Sequence, residues 1–402
     1  MEATLEFIPS GGITTPGGFL AGAASAGIKN EGTTRLDLAM LRSVKPCAAA
    51  GVFTINKVKA SPLLLTQKRL EKGGATALVV NSGNANACNG PAGMAAAIAM
   101  GGLAAEHIGA VPEDVLVAST GVIGWEMPME RISAGIGRLE LSPEGGHDFA
   151  RAIMTTDTVP KEAAVRVGGE YIIGGAAKGS GMIHPDMATL LCFLTTDAGL
   201  DKGFLRAGLK EAVDISFNMV TVDGDTSTND MVLLMANGQA GGKTIRKGGP
   251  EAEVFQQALN EVCIYLAKAI ARDGEGATKL IEVSVTGAAN TEDARRVART
   301  VAASPLVKTA IHGGDPNWGR FLAAAGRCGA ALEPERVDIY LGGLKLAANG
   351  CPVPFSHDEA AGLMGGGEVM INIDLKLGGG GATAWGCDLS GGYVTINSEY
   401  TT

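Results

Sequence analysis

Aromatic side chains make up only 4% of this 402-residue chain, and charged ones 19%. With 46% hydrophobic residues and so few rings, the interior must be packed with aliphatic and small side chains. The 59 glycines supply tight turns and close backbone approaches. This mixture points to a layered α/β protein and away from disorder or a coiled coil. Cysteine is scattered: the seven residues at 47, 88, 192, 263, 328, 351 and 387 are odd in number and never spaced C-x-x-C. That argues against a disulfide framework or a zinc site and fits a reducing cytoplasm. Basic residues are outnumbered, and a net charge of −9 argues against a nucleic-acid partner, which needs a concentrated basic face. No apolar run approaches a membrane span, and Met1-Glu2-Ala3 opens without a signal peptide's basic and apolar regions. A soluble, cytoplasmic protein is expected, long enough for two domains and a large core.

The familiar catalytic signatures are missing as well. There is no G-x-S-x-G elbow, no G-x-x-x-x-G-K-[ST] phosphate loop, and no G-x-G-x-x-G following a strand in a βαβ unit. None of the five histidines (107, 147, 184, 312, 357) forms an H-E-x-x-H pair. Asp223-Gly224-Asp225 lacks the Gly and Glu that a calcium loop places downstream. Neither a metal nor a cofactor is expected.

What the chain does contain is a series of short strands ending in polar turns. Thr76 to Val80 reads as a buried strand that stops at Asn81-Ser82-Gly83, and NSGNANACNGPAG then forms a backbone-polar loop before an Ala/Met helix at 92–105. Val115 to Ala118 is a second strand. It ends at Ser119-Thr120-Gly121, where a plain terminator and an oxyanion-binding turn look alike. Ile153 to Pro160 carries three Thr and an Asp around an expected strand end, and Lys161-Glu162 reads as a solvated pair. A helix is expected at 204–215, followed by a polar loop over 221–230. The pattern of Val254, Phe255, Ala258, Leu259, Val262 and Leu266 predicts a helix over 251–272, with Gly274 as its left-handed cap and Glu275 held between two glycines. Strands at 280–286, 337–346 and 368–377 suggest a smaller C-terminal domain, 279–402, behind a main domain, 1–278. The tail, 394–402, is too polar to bury.

The stretch that organises the chain is Lys178 to Asp197, KGSGMIHPDMATLLCFLTTD. A Lys, two glycines and a His-Pro turn lead to Thr189, followed by an apolar strand at 190–194. A Thr hydroxyl needs a base. If Thr189 becomes N-terminal by cleavage of the Ala188–Thr189 bond, its own α-amine titrates near neutrality and can serve, so no His is required. The alternative is a structural Gly/Pro loop.

The motifs NSGNANACNG (81–90), STGVIG (119–124), IMTTDT (153–158), KGSGMIHPDMATLL (178–191), DGEGATK (273–279), HGGDPNWGR (312–320) and INSEYTT (396–402) run in order along the chain. Together they resemble the ornithine acetyltransferase (glutamate N-acetyltransferase) family of arginine biosynthesis. The resemblance implies a chain that cuts itself between Ala188 and Thr189 into an α chain, 1–188, and a β chain, 189–402, which pair as α2β2. It implies an α/β sandwich like that of N-terminal-nucleophile hydrolases but differently connected, with a smaller α+β domain. Acetyl would pass from N2-acetyl-L-ornithine to Thr189 and then to L-glutamate in a ping-pong cycle. By the same resemblance Thr120 and Gly121 form the oxyanion hole, and substrate contacts fall on Thr155 or Thr156, Lys178, Thr189, Glu275, Asn397 and Thr402. Acetyl-CoA stays open as a co-substrate. A self-cleaving amidohydrolase or aminopeptidase, with water as acceptor, is the competing enzyme class, and an uncut metabolite-binding protein a third reading.

Overall fold

The computed structural model describes residues 4–184 and 190–399. Two sheets organise it. The first has nine strands: β1 (Leu5–Phe7), β2 (Phe19–Ala24), β3 (Leu38–Phe53), β4 (Gly74–Asn81), β5 (Val115–Ser119), β6 (Lys161–Val167), β7 (Tyr171–Lys178), β8 (Leu191–Leu200) and β9 (Met231–Ile245). Their order is β1-β6-β7-β8-β9-β3-β4-β5, with β2 also paired to β3. Neighbours are antiparallel except β4 with β5 and β8 with β9. Its helices are α1 (Ser61–Leu70), α2 (Gly90–Ile108), α3 (Met129–Ile136), α4 (Gly146–Ala152), α5 (Lys202–Ile215) and α6 (Pro250–Arg272).

The second sheet has six strands: β10 (Leu280–Ala288), β11 (Asp338–Leu341), β12 (Leu344–Ala348), β13 (Cys351–Pro352), β14 (Glu368–Asp374) and β15 (Gly380–Cys387), in the order β13-β12-β11-β14-β10-β15. It is joined by α7 (Thr291–Ala303), α8 (Pro305–Gly313), α9 (Trp318–Gly326), α10 (His357–Gly365) and α11 (Gly391–Glu399).

The apolar run at the start of β8 is explained by burial on both faces. Leu190, Cys192 and Leu194 enter the cluster that holds α5 and α6, whereas Leu191 and Phe193 join Phe149 of α4 on the opposite side. The Phe149 and Phe193 rings meet edge to face, with centroids 5.7 Å apart. Helix α6 begins with Pro250 at its first turn, where the missing N–H costs nothing, and carries Glu251 and Glu253 at the positive end of its dipole. One side of α6 packs on β6 and β7 and the other reaches β10 and β15. Ile173, Leu194, Leu259, Leu266, Ile281 and Ile371 consequently belong to one continuous core. At its surface Glu282 of β10 accepts from Trp385 Nε1 at 2.9 Å and pairs with Lys268 of α6 at 2.7 Å.

Several expectations need correction. Residues 153–160 join helix α4 to the start of β6, and Lys161, the first residue of that strand, is buried and not solvated. Gly274 is not left-handed. That conformation falls to Gly276 (φ 69°), while a Cβ on Gly274 would lie 2.6 Å from Cys387 Sγ. Residues 337–346 do not form one strand but split into β11 and β12 at Gly342-Gly343. The tail up to Glu399 is helical, and β15 was not anticipated. No helix among the described residues is long and apolar enough to cross a membrane.

Because a single core links both sheets, Leu266→Ala should destabilise the whole molecule by about 2–5 kcal/mol. Urea unfolding followed by far-ultraviolet circular dichroism and by tryptophan fluorescence should shift together, in one coincident transition. Separate transitions would contradict the shared core.

Candidate active site

Strands β4, β5, β7, β8 and β9 all have an end in one region, where the loops between them converge. Asparagines replace regular structure there. Asn81 Nδ2 donates to Asn84 O at 2.9 Å, Ser119 Oγ donates to Asn81 Oδ1 at 2.6 Å, and Asn84 Oδ1 accepts from Asn86 N–H at 2.8 Å. Asn229, just before β9, donates to both Ala85 O (2.7 Å) and Ser119 O (2.8 Å) and so ties the loops after β4 and β5 together. These bonds answer the amides and carbonyls that a buried loop would otherwise leave unpaired.

Against this floor lies a cleft lined by Ala85, Thr120, Gly121, Val122, Ile123, Thr155, Thr156, Lys178, Gly181, Met182, Ser227, Thr228, Asn229, Glu275 and Asn397. Of the residues nominated from sequence, Thr120, Gly121, Thr155, Thr156, Lys178, Glu275 and Asn397 thus meet in one place. Ala188, Thr189 and Thr402 lie outside the described residues. The 312–320 motif stands apart from the cleft: His312 Nδ1 is 2.7 Å from Asp388 Oδ2, and Asp388 accepts the Thr278 and Lys279 N–H groups, clamping the segment just after Glu275.

Thr120 N–H is already bonded to Asn81 O at 3.0 Å. What this turn can offer a ligand is the Thr120 hydroxyl and the Gly121 N–H. Gly121 has φ 132°, and a Cβ there would come within 2.3 Å of the Gly83 carbonyl carbon, so only glycine fits. Lys178, the last residue of β7, extends Nζ to Thr155 Oγ1 (2.7 Å) and Thr120 Oγ1 (3.4 Å). The Thr156 and Ser180 hydroxyls are 2.7 Å apart. Glu275 N–H donates to Ser180 O at 2.8 Å, and Asn397 Nδ2 donates to Glu275 Oε2 at 2.8 Å, bringing α11 over the cleft.

Beneath the cleft runs a charge network that the sequence did not disclose. Asp157 Oδ1 accepts from Lys161 Nζ at 2.7 Å and from Gly179 N–H at 2.6 Å, and Asp157 Oδ2 accepts from Thr155 N–H at 3.0 Å and lies 3.9 Å from Lys178 Nζ. Lys161 also donates to Asp273 Oδ2 at 2.6 Å, at the end of α6. Burial alone would raise Asp157, but the charges of Lys178 and Lys161 and these hydrogen bonds outweigh it and hold the carboxyl well below the usual range. Burial pulls Lys178 below the ordinary lysine range, and Lys161 adds to that; Asp157, Asp230 and Glu275 pull the other way. The only hint in the sequence was an Asp among threonines before a Lys, a pattern equally common on a solvated loop.

Four similarities bear on this geometry. The ArgJ family matches residues 20–402. An arginine biosynthesis bifunctional protein of Dehalococcoides mccartyi is 54% identical over all of both chains, and one of Symbiobacterium thermophilum is 56% identical over 98% of this chain and 99% of its own. A crystal structure of an arginine biosynthesis bifunctional protein from Bacillus halodurans aligns with a TM-score of 0.50 at 47% identity, covering 97% of its own chain but 51% of this one.

Removing Lys161 should leave Asp273 without its cation and the buried Asp157 with Lys178 alone, at a cost of about 3–5 kcal/mol for Lys161→Met near neutrality. Asp157 is depressed in the fold, so its stabilising contribution is present above its unfolded pKa of about 4 and fades as pH falls through the folded value. The difference between wild type and Lys161→Met in urea unfolding should therefore shrink below about pH 4. A separate expectation is that Gly121→Ala lowers kcat by at least about 100-fold, in line with loss of an oxyanion donor, read by steady-state kinetics on protein checked for its fold by circular dichroism.

Proposed function

This chain belongs to the ArgJ family, and from that premise we propose that its cleft moves an acetyl group from N2-acetyl-L-ornithine to L-glutamate in arginine biosynthesis, releasing L-ornithine and N-acetyl-L-glutamate. The observation that carries the reading is the convergence of a buried cation, Lys178, a carboxylate, Glu275, and the Thr120–Gly121 turn on one cleft. An α-amino acid presents one carboxylate and one ammonium. Lys178 is suited to the first and Glu275 to the second, each held by hydrogen bonds before the substrate arrives. Pre-ordered partners of this kind lower the cost of binding and orient the acetyl carbonyl.

Thr189 is the nucleophile in this reading. Cleavage of the Ala188–Thr189 bond exposes its α-amine, which takes the hydroxyl proton as the oxygen attacks the acetyl carbon. Negative charge developing on the carbonyl oxygen is met by the Thr120 hydroxyl and Gly121 N–H. Collapse expels ornithine as the free amine and leaves acetyl-Thr189; the amine of glutamate then attacks that ester and regenerates the hydroxyl. Thr155 or Thr156, with Asn397 and Thr402, completes the substrate contacts. Coverage of nearly the whole solved Bacillus halodurans chain by about half of this one supports a cut molecule. The two pieces, 1–188 and 189–402, would pair as α2β2 in the cytoplasm, with 279–402 a smaller domain of the β chain. Acetyl-CoA would enter as a second acetyl donor, making glutamate acetylation bifunctional.

Denaturing mass spectrometry tests this directly. The expected spectrum has two chains meeting at Ala188/Thr189, with the larger gaining one acetyl group from N-acetylornithine and losing it to glutamate. Loss of the acetyl group to water alone, unaffected by glutamate, would favour a hydrolase, and an uncut chain that never takes up acetyl would overturn the nucleophile.

A further inference from the structure

A second cavity meets the cleft at Thr155. Its walls include Lys29 and Arg35, from the loop between β2 and β3, and Ser82 and Gly83, from the turn after β4. Thr155 lines both spaces and is bonded to a different cation through each of its oxygens. Its Oγ1 accepts from Lys178 Nζ at 2.7 Å, and its carbonyl oxygen accepts from Arg35 Nη2 at 2.7 Å. The same Nη2 donates to Met154 O at 3.0 Å, whereas Arg35 Nε and Nη1 make no hydrogen bond to another described residue. Covalent geometry within one residue keeps the Lys178 and Arg35 nitrogens no more than about 10 Å apart.

The loop is anchored so that its cations stay beside the cleft. Asp37, also in the wall, has its charge taken up by the backbone: Oδ1 accepts from Ala26 N–H and Oδ2 from Ile28 N–H, both at 2.6 Å. Ser82 N–H donates to Asp37 O at 2.9 Å and joins the loop to the turn after β4. Gly83 (φ 91°) is the residue that Gly121 packs against, and a Cβ on it would lie 3.0 Å from Lys29 Cβ. Among its described residues the cavity thus presents two cations and one carboxylate that is already bonded.

The reaction makes a demand that the cleft alone does not meet. N2-acetyl-L-ornithine brings a side chain ending in an ammonium group, which suits Glu275. L-glutamate, the acceptor, brings one ending in a carboxylate, and against Glu275 it would meet a like charge. Lys178 is the one cation among the described residues of the cleft, and the α-carboxylate of either substrate occupies it. Arg35 offers the N–H groups of a planar fork, the geometry that matches a carboxylate. Carbon–carbon bonds of about 1.5 Å place the two carboxyl carbons of extended glutamate about 5 Å apart. With a hydrogen bond of about 2.8 Å at each end, the molecule bridges cations about 10 Å apart.

We propose that the cavity beside Thr155 is the subsite for the side-chain carboxylate of the acetyl acceptor, with Arg35 and Lys29 as its specificity-determining residues. This rests on the transferase reading above. Donor and acceptor share the Lys178 grip on the α-carboxylate and send their side chains in different directions. The donor's ammonium goes to Glu275, and the acceptor's carboxylate passes Thr155 to reach Arg35. One cleft thereby serves two substrates of opposite side-chain charge. Glutamine, of the same length but ending in an amide, lacks the charge that the two cations recognise.

The test separates the half-reactions. Wild type, Arg35→Met, Lys29→Met and the double variant are acetylated with N-acetylornithine while ornithine release is timed, and the acetyl-enzyme is then offered glutamate or glutamine. Ornithine release should keep its kcat and KM within about twofold, while KM for glutamate rises and the kcat/KM preference for glutamate over glutamine falls, each by at least about tenfold. Arg35→Lys, which retains a charge, should keep part of that preference. Equal losses with glutamate and glutamine, or in both half-reactions, would mark a merely structural loop and overturn the proposal. So would a wild type indifferent between the two acceptors, or variants whose only change is a higher KM for acetyl-CoA. A wild type that N-acetylornithine never acetylates removes the transferase reading and this proposal together, whereas a wild type that transfers acetyl, with variants unchanged in acceptor preference, removes this proposal alone.

Discussion

Two lysines share one buried carboxylate at the centre of this protein, and the geometry of the cleft follows from that arrangement. Asp157 is held ionised in the interior by Lys161 and Lys178, which it pairs in turn. Each member comes from a different piece of chain: Asp157 from the loop after α4, Lys161 from the start of β6, Lys178 from the end of β7. Asp273, bound to the same Lys161, brings in the end of α6. Satisfying these charges fixes where Lys178 points and where the loop bearing Glu275 begins.

The cleft is also held from outside. Asp388, at the end of β15, accepts the N–H groups of Thr278 and Lys279, so Glu275 lies between two anchored points, Asp273 before it and Thr278 after it. Asn397 of α11 reaches the Glu275 carboxylate from the far side. The second sheet is thereby coupled to the site of the first by both its core and its polar contacts. Exposed carboxylates contribute little, but one held by several donors is kept in a single orientation before any ligand is present.

Small residues make this convergence sterically feasible. With so few rings in the chain, backbones approach one another closely, as at Gly121 against Gly83 and at Gly274 against Cys387. Asparagines then supply the hydrogen bonds that ladders cannot provide where strands end and loops pack face to face.

Much of this could be read from the chain itself. The alternation of β14 and the period of α6 follow from local side-chain spacing, and the apolar start of β8 announces burial on both faces. Thr120, Gly121, Lys178 and Glu275 were legible because strand-end turns and ordered motifs carry local signatures. The rest was decided by contacts between distant segments. Lys161 looks like a surface residue until Asp157 and Asp273 surround it, and Gly274 looks like a helix cap until Cys387 arrives from more than a hundred residues away. Asp230 gave no signal at all: it closes a polar loop in the sequence, yet it is 1% exposed in the fold. Sequence determined which groups were present and how each strand or helix would begin; only the tertiary structure could decide which charges were buried together, because the cost of burying a charge is set by neighbours that local sequence does not contain.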